Sequence, residues 1–234
     1  MPRPHVLLSA AVSIDGYLDT RPGEDRLLLS NDADFDRVDA VRASCDAILV
    51  GSNTLRLDNP RLLVKSEQRR ADRKAAGLPE YPLKVTVTAS GDLDPEWKFW
   101  HYGGRKIAYA AGQEAADKAR GLLGDLADVY AMPPVKSWEM LLEHLYTVHG
   151  VRRLMVEGGG QVHTQLLQQG LADELHLVVA PLLVGQADAP RMLGDGPYPG
   201  GPLRRMHLLE SRQIGDVILL RYAPKKTSDA QVAA

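Results

Sequence analysis

RLMVEGGGQVHTQLLQQG, residues Arg153 to Gly170, is the stretch on which the fold turns. Its apolar run Leu154-Met155-Val156 predicts a buried strand. Glu157 follows, then Gly158, Gly159 and Gly160. Beyond them Val162, Leu166 and Leu167 recur at helical spacing, and Gly170 stands where a helix-ending glycine belongs. The unit reads as strand, glycine turn, helix. Such a turn gathers unpaired backbone N–H groups and the positive end of a helix dipole at one point, which suits a phosphate. Glycine also lets a ligand approach without a Cβ in the way. The pattern is not G-x-G-x-x-G, and on spacing alone a turn without a ligand is an equal reading.

Working outward, Val6 to Val12 reads as a central strand, turned by Ser13-Ile14-Asp15-Gly16. Ser30, Asn31 and Asp32 offer caps to a helix running to about Ser44, with Phe35, Val38 and Val41 as its apolar stripe. Ala47 to Val50 is a second buried strand that runs into Gly51-Ser52-Asn53-Thr54. Asp58 lies close beyond, before Asn59-Pro60, where an ordinary Asx turn is the alternative to a ligand site. Lys65 to Pro82 is charged and irregular. A solvated surface segment is expected there, with a phosphate-touching loop as the sharper alternative. Lys84 to Thr88 is a β-branched strand ending at Ala89-Ser90-Gly91, and Trp97, Phe99 and Trp100 read as anchors.

Strands over Lys106 to Ala110 and Ala127 to Ala131 flank a helix over Gln113 to Leu123. Another helix runs from Ser137 to about His149, with Met140, Leu141, Leu145 and Val148 on its apolar side. Leu175 to Leu183 is a long β-rich run whose Pro181 suggests an edge or bend; as an apolar edge it is the expected dimer surface. Met206 to Arg212 and Val217 to Tyr222 form a closing hairpin around Ile214-Gly215-Asp216. No linker separates two cores, so residues 1–223 read as one domain and 224–234 as a flexible tail.

Composition narrows the classes. Of 234 residues, 44% are apolar and 25% charged, ordinary for a soluble globular chain. A net charge of -2 gives no electrostatic case for nucleic acid or an anionic membrane. One cysteine, Cys45, forbids an internal disulfide and a multi-cysteine zinc site, and its apolar neighbours predict burial; no metal is expected. No secretory signal and no membrane-spanning run is legible, so a cytoplasmic protein is expected.

Alternating strands and helices that end in strand pairing predict an α/β fold, with a mostly parallel central sheet and an antiparallel edge. In such sheets ligands gather at the carboxyl ends of strands. Every suspicious turn falls there: Ala11 to Gly16, Gly51 to Thr54, Ala89 to Gly91, and Glu157 to Gly160.

Ser13-x-Asp15-Gly16, Ala47-Ile48-Leu49-Val50-Gly51-x-x-Thr54, Asp58-Asn59-Pro60-Arg61-Leu62, Val156-Glu157-Gly158-Gly159, Ala172-Asp173-Glu174-Leu175 and Ala180-Pro181 recur in this order. In them the chain resembles, from about Val6 to Tyr222, the pyrimidine reductase family of riboflavin biosynthesis, the reductase half of the bacterial bifunctional deaminase–reductase. The resemblance implies a dihydrofolate-reductase-like three-layer fold with helices on both faces, NADPH as hydride donor, and a homodimer. It implies cofactor contacts along Ala11, Leu27, Gly51, Thr54, Asp58 and Ser90. More follow through Gly158, Gly159 and Gly160 into Gln161, Val162, His163, Thr164 and Gln165. It places a phosphorylated pyrimidine substrate near Asp25, Arg42, Leu62, Lys65 and Glu157.

Arg42 and Lys65 suit a ribose 5-phosphate. Ser90 suits the adenosine 2′-phosphate, with Arg105 as a candidate basic partner. Asp58 and Glu157 are the expected catalytic groups, Glu157 on the pyrimidine edge and Asp58 on the carboxamide or open-chain hydroxyls. The zinc deaminase half has no counterpart, so deamination falls to a separate enzyme.

Three positions depart from the family pattern. Leu27 stands for an aromatic residue, Lys65 for an arginine, and Asp25 for a frequent serine. They keep two alternatives in view: a dihydrofolate-reductase-like or specialised-pathway pyrimidine or pteridine reductase, and a non-catalytic NADPH-binding protein.

Overall fold

The apolar runs become strands and most amphipathic runs become helices in a computed structural model that describes residues 1–133, 137–199 and 201–224. The tail expected over 224–234 lies outside the described residues beyond Pro224. The strands are β1 (His5–Ser13), β2 (Ala47–Gly51), β3 (Leu83–Thr88), β4 (Lys106–Ala111), β5 (Asp128–Met132), β6 (Arg153–Val156), β7 (Glu174–Ala180), β8 (His207–Ile214) and β9 (Val217–Ala223). The helices are α1 (Asp32–Ala43), α2 (Ser52–Asp58), α3 (Glu67–Ala75), α4 (Lys98–His101), α5 (Gly112–Leu123), α6 (Ser137–Thr147) and α7 (Gly160–Gln168).

The chain divides into two units. The first holds Met1–His5 and Asp36–Gly159, and its strands run β5-β4-β3-β2-β6. Every pairing there is parallel. The second holds Val6–Phe35 and the described residues from Gly160 onward, with β1 parallel to β7, and β7-β9-β8 antiparallel. This is the expected α/β pattern of parallel strands with an antiparallel edge.

β2 is buried from Ala47 to Gly51, as a strand covered on both faces must be. Alternation along β4 shows the covers: Ala108 joins the cluster that includes Leu55 of α2 and Ala119 of α5, while the next residue, Tyr109, meets His144 of α6. Helices therefore lie on both faces. Trp97, Phe99 and Trp100 are buried in that same cluster as expected, and Cys45 is fully buried, its thiol pKa raised by desolvation.

Several expectations need correction. α1 does not bury Phe35, which is 45% exposed; it buries Asp34 and Asp39 instead. A buried carboxylate survives only with donors around it. Asp34 accepts the Ser30 hydroxyl at 2.6 Å, and Asp39 accepts backbone N–H groups described below. On α6, Met140 and Val148 are exposed, and Trp138 and Leu142 are buried in their place. Gly51-Ser52-Asn53-Thr54 is not a plain turn but the start of α2. That helix ends at Asn59, held left-handed at φ 43°, before Pro60.

The irregular segment expected over Lys65 to Pro82 contains α3, capped by Ser66 and burying only Arg73. The cations of α3 are committed: Arg69 to Asp36 and Asp39, Arg70 and Lys74 to Glu80, and Arg73 to the carbonyls of Ala43, Cys45 and Pro79. Finally, β7 is no edge, because β1 and β9 flank it. The exposed apolar residues Leu208, Leu209 and Ile218 lie on the β8–β9 hairpin instead.

Candidate functional site

β2 and β6 are parallel neighbours, so both carboxyl ends open at the same place. There the two turns are bonded to each other. Glu157 N donates to Leu49 O at 2.9 Å, and Gly51 N to Gly158 O at 3.0 Å. Gly159 N donates to the Thr54 hydroxyl at 3.1 Å. Thr54 is thus the hinge pin between α2 and the glycine turn. Asp58, four residues on, lies on the same helical face, exposed at the end of α2.

The three glycines serve different ends. Gly158 sits at φ +143°, where a side chain is strained. A Cβ on Gly158 or Gly159 would meet only Thr54, at 3.4 and 3.3 Å. One on Gly160 would strike Arg191 O at 2.6 Å. The first two positions pack against Thr54, Gly158 buried and Gly159 partly exposed; the third is a close packing of chain on chain.

Glu157 does not stand alone. Arg42 grips it with two parallel bonds of 2.6 Å, Nε to Oε1 and Nη2 to Oε2. The third nitrogen of Arg42, Nη1, donates to Leu63 O at 3.1 Å. Burial opposes the Arg42 charge, but Glu157 more than offsets it, and the guanidinium pKa is raised. The expected phosphate ligand Arg42 therefore has all three guanidinium nitrogens engaged, and its carboxylate partner is the other expected site residue. Lys65 differs: it is exposed, and among the described residues its ammonium has no hydrogen-bond or ion-pair partner. Leu62 is buried at φ 49° in the apolar cluster, so its side chain is packed away from any ligand.

Ser90 follows β3, whose carboxyl end opens beside that of β2. Its hydroxyl accepts Asp92 N at 3.3 Å. Arg105 is not its basic partner, since it precedes β4 at the amino end of the strands and pairs with Asp128 at 2.6 Å. Lys118 and Arg56 stand there instead: Lys118 pairs with Asp92, and Arg56 Nη2 reaches Asp92 O at 3.4 Å. Lys118, with Ser90 second, holds the Asp92 carboxyl below its usual pKa. Nothing in the local sequence pointed to these two cations, because they come from helices distant in the chain.

In the second unit α7 begins where expected. Val162 and His163 are buried, while Gln161 and Gln165 are exposed. The Thr164 hydroxyl is committed, donating to Gly160 O at 2.7 Å and accepting Gly194 N at 2.9 Å. Ala11 and Leu27 pack against the cluster around Leu29 and Val178. Asp25 is exposed, and its carbonyl accepts the Thr20 hydroxyl at 2.8 Å. Among the described residues no helix is long and apolar enough to cross a membrane, and no group of three or more metal-ligating side chains occurs.

With the geometry established, comparison with known proteins is informative. Residues 4–220 match the family model described as the RibD C-terminal domain. The 2,5-diamino-6-ribosylamino-4(3H)-pyrimidinone 5′-phosphate reductase of Methanothermobacter thermautotrophicus is 30% identical over 224 residues, covering 95% of this chain and 99% of that protein. The enzyme of the same name from Archaeoglobus fulgidus is 33% identical over 215 residues, covering 92% and 95%. Among solved structures, Acinetobacter baumannii RibD (form 1) superposes with a TM-score of 0.76 at 25% identity, over 96% of this chain and 59% of that one. The riboflavin biosynthesis reductase Rib7 of Saccharomyces cerevisiae shares the fold with a TM-score of 0.70 at 19% identity, over 95% and 90%.

Proposed function

The chain belongs to the RibD C-terminal domain family, and from that premise we propose that it is an NADPH-dependent reductase of a ribosylaminopyrimidine 5′-phosphate in riboflavin biosynthesis. The observation that carries the reading is the bonding of Thr54 to Gly159 beside a Glu157 already neutralised by Arg42. The glycine turn, partly exposed at Gly159 and Gly160, accepts a phosphorylated cofactor, and the pairing removes the negative charge that would repel it.

A bound NADPH would supply the hydride to C1′ of the ring-opened imine, which with a proton taken from solvent at the nitrogen would give the ribitylamino chain and NADP+. The protein's own part is alignment. Thr54, Gly158 and Gly159 hold the cofactor's phosphates or ribose. Lys118 and Arg56 at the Ser90 turn give the 2′-phosphate its cationic partners, at the expense of the Asp92 contact. Glu157, fixed in one orientation by the Arg42 fork, takes the amino edge of the pyrimidine. Lys65 takes the 5′-phosphate as a point charge. Asp58 orients the carboxamide or the open-chain hydroxyls.

Steady-state oxidation of NADPH tests this with the diaminopyrimidinone and aminouracil ribotides beside dihydrofolate. Turnover of a ribotide with a higher kcat/KM than dihydrofolate is expected; none above background ends the proposal. Asp58→Ala should lower kcat/KM about a hundredfold. The homodimer is assigned to the β8–β9 hairpin, where Leu208→Arg should shift the light-scattering mass to that of a monomer.

A further inference from the structure

Arg61 to Ser66 has no regular structure, yet charged side chains hold its backbone from end to end. Lys84 of β3 donates to Arg61 O at 2.8 Å. Arg42 of α1 donates to Leu63 O at 3.1 Å. Arg70 of α3 donates to Val64 O at 3.1 Å and Lys65 O at 2.6 Å. Asp39 of α1, only 5% exposed, accepts Lys65 N on one oxygen and Ser66 N, at 3.2 Å, on the other. Arg69 binds that second oxygen at 3.0 Å. A surface loop ordinarily gives its backbone groups to water. Here long charged side chains are ordered and partly buried instead, which costs rotamer entropy and desolvation. The product is a fixed path with two cations: Arg61 lies over the Tyr102 ring, 4.6 Å from its centroid, and Lys65 has no side-chain partner among the described residues.

Asp39 and Arg42 lie one turn apart on α1. One holds Lys65 and Ser66; the other holds Leu63 and Glu157. We propose that Asp39 is a positioning residue of the substrate subsite: it ties down the backbone of Lys65 so that this ammonium meets the substrate's phosphate monoester at a set place relative to Glu157. This deepens the reductase reading and rests on it.

The test joins a structural readout to a kinetic one. Asp39→Asn keeps the size of the side chain and removes its charge. Trypsin should cut the variant after Arg61 or Lys65 faster than wild type, with the far-ultraviolet circular dichroism unchanged. KM for the ribotide should rise about tenfold while KM for NADPH stays within about twofold. In a Lys65→Met background, Asp39→Asn should add nothing further to the ribotide KM, since the group it positions is gone. Asp39→Glu, which keeps the charge and displaces the carboxylate, gives a second arm should the first variant not fold. Additive effects on KM, or unchanged cleavage beside normal wild-type turnover, overturn the clamp alone. A wild type with no ribotide turnover overturns the reductase reading and the role of Asp39 with it, and the cleavage assay separates the two cases.

Discussion

Two irregular stretches of the first unit reach their shapes by opposite means. Glu157 to Gly159 is shaped by its own residues: Gly158 adopts φ +143° because it lacks a Cβ, and its neighbour's N–H finds Thr54. Arg61 to Ser66 is shaped by residues elsewhere in the sequence, with Asp39, Arg42, Arg70 and Lys84 holding its carbonyls and N–H groups. The first kind of loop announces itself in a sequence. The second does not, because its instructions are scattered from Asp39 to Lys84 and look like surface charge.

Arg42 joins both stretches, so its loss is the strongest way to break the contrast. Arg42→Met strands the Glu157 carboxylate and frees Leu63 O. It should cost about 3 kcal/mol in urea unfolding and abolish ribotide turnover. If stability were unchanged, the two stretches would be independent. Next comes Gly160→Ala, whose Cβ would lie 2.6 Å from Arg191 O. It should cost about 2 kcal/mol by thermal or urea unfolding, against a negligible change if the backbone there yields.

Ser66→Ala probes the one place where the second stretch helps to shape itself, by capping α3 through Arg69 N at 3.3 Å. A loss of about 1 kcal/mol is expected. Smallest in stability is Gly159→Ala, below about 1 kcal/mol because only the Thr54 hydroxyl must move. It sharpens the contrast all the same, since the methyl should raise KM for NADPH without touching KM for the ribotide.

The contrast also explains what was legible beforehand. Leu154-Met155-Val156, Ala47 to Val50 and Val6 to Val12 declared buried parallel strands, because a strand covered on both faces must be apolar throughout. The glycine turn and the closing hairpin followed from local chemistry. α3 was missed because its single buried residue is Arg73, so it carries no apolar stripe to count. α2 was missed because Gly51 and Pro60, which bracket a seven-residue helix, also read as turn signals. The buried face of α1 was assigned to Phe35 when the partners of Asp34 and Asp39 lay elsewhere. β7 was taken for an edge because Pro181 ends it, while its flanking strands come from the two ends of the chain. The strand-end turns that hold Thr54, Glu157 and the glycines were legible from local sequence. The pairing of Arg42 with Glu157, 115 positions apart, was not.

One consequence of the scattered clamp concerns how such a pocket changes over generations. The path from Arg61 to Ser66 is written in four residues outside it, so the residue at 65 can be exchanged without redrawing that path. On the proposed role of Lys65, the loop would act as a socket with a replaceable tip: arginine, glutamine or histidine in place of Lys65 would alter what is grasped while the mounting stays put. Directed evolution for new phosphate esters should therefore collect its gains at that tip and leave the mounting residues untouched.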